Sequence, residues 1–390
     1  MGGLAAIALA AAPAFAGGPL LVRPDGQPFA WSTASEVQYR TDNGPLSGTV
    51  DEAAARTRVT GMFDVWENVA TASIGYNRAG FISAVGAFSD GDVSTAAEYA
   101  AVEDDCFNGN QSPVVYDVDG TILIDLGVDE TSIIGFAGPC SGNAANILTG
   151  RAVMNGLFQD GQAAPVQDIP AAAFDAAIIH EVGHFSGLSH SQVNVNCINP
   201  CGADDLAGLP TMFPFLVSTT QGTLSVDDIA WISRLYPAPS FSTTHGTISG
   251  TVFFSDGQSH AQFVNVIARP LDTGLNQDRT SAASVISGYK FRAIHGNPLT
   301  GDPADPFGTT NAAHIGLYEI PVPIGSYTIE VESVDAQFVD GSGIGGYRIA
   351  MPGTAPAPIG PIVVTQNAVS SGNDVTLIGT APRFDQFEGQ

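Results

Sequence analysis

Apolar and polar residues first alternate at Glu36-Val37-Gln38-Tyr39-Arg40-Thr41, the two-residue period of a half-buried strand, and Asp42-Asn43-Gly44-Pro45 closes that run as a turn. From Asp51 to about Ala72 the period lengthens. Val59, Phe63, Trp66 and Val69 recur three or four residues apart, which predicts a helix with one apolar face. Short strand-like runs follow at Ser73 to Tyr76, Val114 to Tyr116, Ile122 to Ile124, Ile133 to Phe136 and Arg151 to Phe158, separated by Gly, Asp and Asn, so a mixed sheet is expected. A second helix is predicted from Asp168 and Pro170 to Ser186, with Gly187 as its stop. Ser225-Val226-Asp227-Asp228 reads as an N-cap with acidic residues in the first turn. Ile229, Ile232 and Leu235 then give that third helix its apolar face before Pro237 ends it.

Beyond Pro237-Ala238-Pro239-Ser240 the pattern changes to alternation without a convincing helix. Thr247 to Phe254, Phe263 to Arg269, Gly316 to Val322, Ser326 to Ser333 and Asp374 to Ile378 read as strands of a small β-sandwich. The expected organisation is a signal peptide at 1–16, an α+β domain at 31–238, a linker at 239–244, an all-β sandwich at 245–380 and a tail at 381–390. A chain of 390 residues exceeds the usual size of one core, which agrees with two domains.

Composition narrows the function. With 44% hydrophobic and 13% charged residues the chain can bury a core. Its net charge of −26 includes a single lysine, Lys290, so no basic face exists for nucleic acid. Leu4 to Ala12 followed by Ala14-Phe15-Ala16 resembles the apolar core and cleavage site of a secretory signal, which predicts export. No later apolar run reaches the ~18 residues of a membrane span. Four cysteines fit an oxidising compartment and allow three pairings. Cys106 with Cys140 and Cys197 with Cys201 is favoured, because the close pair sits in one loop and the other two flank one segment; a cysteine-type zinc site is the competing reading.

The chemistry concentrates in His180-Glu181-Val182-Gly183-His184-Phe185-Ser186-Gly187-Leu188-Ser189-His190-Ser191, an H-E-x-x-H-x-x-G-x-x-H pattern on the second predicted helix. Positions i and i+4 of a helix lie about 40° apart around its axis, so His180 and His184 can share one metal ion. A third imidazole requires the chain to turn, and Gly187 can adopt the positive φ that swings His190 back. Three imidazoles leave one tetrahedral position of a zinc ion for water. Glu181 is then placed as general base and, later, as proton donor to the leaving amine in peptide hydrolysis. His245, His260, His295 and His314 are scattered through the β region and receive no role.

These residues resemble the metzincin metallopeptidases and, because Ser191 follows the third histidine, the matrixins among them. The resemblance covers roughly residues 31 to 238. It implies a metzincin-like catalytic domain with a twisted mixed sheet, an active-site helix and a closing helix, acting as a secreted zinc endopeptidase on protein or peptide substrates. Thr211-Met212-Phe213-Pro214 resembles the family's Met-turn, which implies Met212 as an apolar floor under the metal. Ser225 to Pro237 resembles the closing helix. Departures are the 22 residues from His190 to Met212, which contain Cys197 and Cys201, and the absence of any histidine before His180, so the second, structural zinc of many matrixins is not expected. Only about fifteen residues separate the expected cleavage site from Trp31, so a cysteine-based latency segment is not expected either. Asp117-Val118-Asp119-Gly120, with Asp125 and Asp129, could bind calcium, or could simply be solvated turns. Ile248 to Val252 and Gly316 to Ile320, before Gly325 to Ile329, resemble carboxypeptidase regulatory-like, prealbumin-type sandwiches. The alternative function is a non-enzymatic surface or matrix binding protein with a structural zinc site.

Overall fold

The alternation at 36–41 becomes a strand in which Val37, Tyr39 and Thr41 are buried and Gln38 is exposed. The protein is seen here as a computed structural model describing residues 7–8, 18–21, 27–86, 88–193, 206–261, 264–271, 280–288, 314–333 and 353–379. Its architecture is α+β. The first sheet is built from β1 (Ala30–Trp31), β2 (Val37–Thr41), β3 (Tyr76–Phe81), β4 (Pro113–Asp117), β5 (Gly135–Gly142) and β6 (Asn146–Asn155). Five strands run parallel in the order β1-β6-β4-β2-β3, and β5 lies antiparallel beside β6.

Helices cover both faces of this sheet, which is why β4 is buried along its whole length. On one face lie α1 (Glu52–Glu67) and α4 (Ala171–Phe185); Val114 and Tyr116 join their core, and the Trp66 indole donates to the Ile179 carbonyl at 2.8 Å. On the other lie α2 (Ala96–Phe107) and α3 (Thr121–Asp125), whose Tyr99, Val102, Ile122 and Leu123 pack with Val115 and Val153. The Cys106–Cys140 disulfide ties α2 to β5. Cys197 and Cys201 lie outside the described residues. No helix among the described residues is long and apolar enough to cross a membrane.

Several elements differ from the sequence expectation. Ile122 to Ile124 is helical rather than extended, because the Asp117 carboxylate accepts the Ile122 and Leu123 N–H groups and Gly120, at φ 78°, turns the chain into α3. The expected strand at Ser73 begins only at Tyr76, and the one at Arg151 begins at Asn146 and gives way to a 3-10 turn at Gly156. Helix α2 was not anticipated. Asp168 does not cap α4; its carboxylate holds the N–H groups of Asp160 and Gly161 instead, and α4 starts directly after Pro170.

After α5 (Val226–Leu235), one helical turn at Phe241–Thr244 occupies the expected linker and leads into the β region. Its strands are β7 (His245–Phe253), β8 (Val264–Pro270), β9 (Ala283–Ile286), β10 (Leu317–Pro323), β11 (Gly325–Ser333), β12 (Ile359–Val364), β13 (Val369–Ser370) and β14 (Val375–Thr376). One sheet is antiparallel in the order β9-β8-β11-β12. The other is β10-β7-β13, with β14 also on β7. The two share a core that includes Ile248, Val266, Val285, Ile320 and Ile329. β9, β12 and β13 lay outside the sequence reading.

Candidate metal centre

Helix α4 ends in a Schellman arrangement. The Gly187 N–H reaches the His184 carbonyl, the Leu188 N–H reaches the Gly183 carbonyl, and Gly187 takes φ 87°, a conformation cheap only for glycine. Two more carbonyls of this end are satisfied from far away in the chain: the Trp31 indole donates to Phe185 O at 2.8 Å, and the Tyr236 hydroxyl donates to Ser186 O at 2.6 Å. The Tyr236 oxygen in turn accepts the Trp31 backbone N–H at 3.1 Å. The helix end and its turn are therefore fixed on every side.

This turn brings His190 back to the two helical histidines. One ring nitrogen from each of His180, His184 and His190 lies within 4.8 Å of the others, and the His180 and His190 Nε2 atoms are 3.1 Å apart. His180 Nδ1 contacts the Thr211 carbonyl at 2.7 Å and His184 Nδ1 the Leu188 carbonyl at 2.8 Å. Each of these Nδ1 atoms must carry the proton, which leaves Nε2 with its lone pair free to ligate. His184 Nε2 is fully buried and has no hydrogen-bond partner. Burial, with the neighbouring His184 adding to it, holds the His180 imidazole well below its ordinary range; burial lowers His184 to about 4. All this favours neutral imidazoles, the ligating form. Among the described residues this is the one cluster of three or more His, Cys, Asp or Glu side chains able to hold a metal ion. Asp117 turns its oxygens to α3 and Asp129 to Thr131 and Ser132, and none of the four calcium candidates, Asp117, Asp119, Asp125 and Asp129, belongs to such a cluster among the described residues.

Glu181 lies beside the triad, against Gly135 of β5. Burial pushes its carboxyl well above the usual carboxylate range, opposed only by the Ala137 backbone amide, and neither oxygen makes a well-formed hydrogen bond. Met212 sits beneath the helix at 2% exposure, so tightly that a Cβ at Gly183 would overlap its sulfur and come within 2.9 Å of Trp66. The turn carrying Met212 is clamped by Asp228, which accepts Thr211 N–H at 2.8 Å, Met212 N–H at 3.0 Å and Ser225 N–H at 2.7 Å. Every residue singled out in the sequence for this site thus converges on it. Gly183, Thr211 and Asp228 were not given a site role there; Asp228 had a visible signal only as a helix-capping residue.

The centre is closed. His180 is 1% exposed, and Glu181, His184 and His190 are 0% exposed. The N-terminal stretch contributes to this end of the molecule: Leu20 N–H bonds Gly187 O, Ser189 N–H bonds Gly18 O, and Ile7–Ala8 pair antiparallel with Phe215–Leu216. Comparison with protein-family models, curated proteins and solved structures finds no match to this chain.

Proposed function

We propose that the protein is a secreted zinc-dependent endopeptidase of metzincin, matrixin-like type. The observation that carries the reading is the convergence of three buried imidazoles beside a glutamate whose oxygens have no structural duty. Three nitrogens each about 2.0–2.1 Å from one tetrahedral ion would sit roughly 3.3 Å apart, close to the 3.1 Å between His180 and His190 Nε2. When bound, zinc supplies a Lewis acid that polarises the scissile carbonyl and acidifies water. Glu181 accepts the proton of the attacking water at its carboxylate and passes it to the leaving amine nitrogen; a buried, poorly solvated carboxylate is a strong base for that step. β5 pairs with β6 alone among the described strands, so its outer edge beside Glu181 can hold an extended peptide by strand addition.

The closed centre favours a second reading, a non-enzymatic surface or matrix protein in which the metal only stabilises the fold, since a substrate reaches these groups only if what covers them moves. One experiment separates the two. Purified residues 17–390 are assayed for casein cleavage with and without chelator, zinc is measured on the same sample, and Glu181→Gln is run alongside. The peptidase reading expects about one zinc per chain, chelator-sensitive cleavage, and loss of cleavage by roughly 100-fold or more in Glu181→Gln with zinc retained. Zinc bound equally by both proteins with cleavage by neither favours the structural role.

A further inference from the structure

His180 and His184 take their directions from α4, but His190 lies beyond the helix and depends on the chain that follows it. Each of the next three residues is tied to the C-terminal sheets. Ser191 stands beside the Asp227 carboxylate, whose Oδ1 accepts the Ser284 backbone N–H at 2.8 Å. The Gln192 carbonyl accepts the Asn265 side-chain amide at 2.9 Å. Val193 packs with Ile267 and Ala282 in a cluster separate from either main core. Ser191, Gln192, Val193, Asn265 and Ser284 are all 0% exposed.

The sheet partners form one built face. Ile267 pairs directly with Ser284 across β8 and β9, and side chains alternate along a strand, so Asn265 and Ile267 share a face with Ser284 and Ala282. Val264, Val266, Ala283 and Val285 point the other way, into the core between the sheets. β9 is an edge strand, and its Ser284 is taken at both backbone groups by α5: the N–H by Asp227 and the carbonyl by the Trp231 indole at 2.9 Å. On its other side Ser191 donates its N–H to the Met212 carbonyl at 2.7 Å. The segment after His190 is thus gripped between the Met212 turn and the β8–β9 face.

We infer that the C-terminal β-sheets are a positioning part of the metal centre, holding His190 in ligating position through the Asn265–Gln192 hydrogen bond and through Asp227, which is bonded to Ser284 and stands beside Ser191. The inference rests on the reading of His180, His184 and His190 as metal ligands. Residues that orient a ligand from outside the coordination sphere typically govern metal affinity by 10- to 100-fold.

The test uses the full chain. Zinc affinity is measured by competition with a chromophoric chelator, and the d–d absorption of the cobalt(II)-loaded protein reports ligand geometry, for Asn265→Ala, Asp227→Ala and the control Arg234→Ala. Arg234 bridges the same two parts of the molecule through Glu319, from the opposite end of α5 to Asp227. Asn265→Ala and Asp227→Ala are expected to lose zinc affinity by about tenfold or more and to change the cobalt spectrum, with far-UV circular dichroism retained and Arg234→Ala unchanged. If Asp227→Ala does not fold, Asn265→Ala decides, since it removes one bond to a carbonyl. Zinc affinity within twofold and an unaltered cobalt spectrum in Asn265→Ala, while the unaltered chain binds zinc, would overturn the inference. So would an equal loss in Arg234→Ala, because a general loosening then explains the effect. No zinc in the unaltered chain removes the metal-site reading itself.

Discussion

Replacing Asp228 by alanine removes one acceptor from three backbone N–H groups at once. Thr211 and Met212 donate from a fully buried turn, and Ser225 donates from the partly buried start of α5. A buried donor left without a partner costs about 1–3 kcal/mol. Against this, burial pushes the Asp228 carboxyl above its usual range, so removing it also relieves an unfavourable desolvation. Two fully buried donors and one partly buried one, less that relief, give a net loss of about 3 kcal/mol, a large share of the roughly 5–15 kcal/mol that holds a typical domain folded. Asp228→Asn keeps one oxygen, which can still serve two donors if it faces Thr211 and Ser225, so it should cost at least ~1 kcal/mol less than alanine. Urea unfolding of the three proteins in excess chelator reads the fold without a metal contribution. A loss below ~1 kcal/mol in Asp228→Ala would refute the clamp, since it would mean that the Thr211 and Met212 amides find other partners easily.

Two further outcomes are expected. Gly183→Ala should destabilise by about 1–3 kcal/mol through overlap with Met212 and Trp66, and Met212→Ala should relieve part of that loss, so a double-mutant cycle with no coupling would exclude the contact as its cause. Burial raises Asp42 to about 7 despite backbone bonds from Gly44, Val93 and Tyr116. Because the folded carboxyl holds its proton more tightly than the unfolded one, its contribution to stability is present below pH ~4 and is lost as pH rises through ~7, with a slope approaching 1.4 kcal/mol per pH unit between. Unfolding free energies from pH 5 to 8 should therefore fall less steeply in Asp42→Asn than in the unaltered chain, and parallel profiles would contradict the shift.

The metal-site pattern was legible because its constraint is local: the four-residue spacing of His180 and His184 and the glycine at 187 follow from helix geometry alone. What the sequence hid was long-range. Gly183 is required by Met212, 29 positions away, whereas local helix propensity alone would favour alanine there. Asp228 looks like an ordinary capping residue until the Met212 turn is seen folded onto it. α2 carried a usable signal: Thr95 with Glu98 at capping spacing, Tyr99, Val102 and Cys106 on one face, and helix-favouring alanines between them. At Ile122 to Ile124 the apolar run itself favours a strand, and a carboxylate five residues upstream decides otherwise. The docking of Gln192 on Asn265 joins segments 73 positions apart and leaves no periodic trace.

The bond between Trp31 and Tyr236 spans 205 positions and closes over the carbonyls that end α4. During synthesis the histidines leave the ribosome long before Tyr236 does, and Asn265 and Ser284 follow later still. A nascent or truncated chain therefore carries the whole H-E-x-x-H-x-x-G-x-x-H pattern without the frame that shapes it. The arrangement of the three histidines is therefore set only once Asn265 and Ser284 have been made, well after the pattern itself.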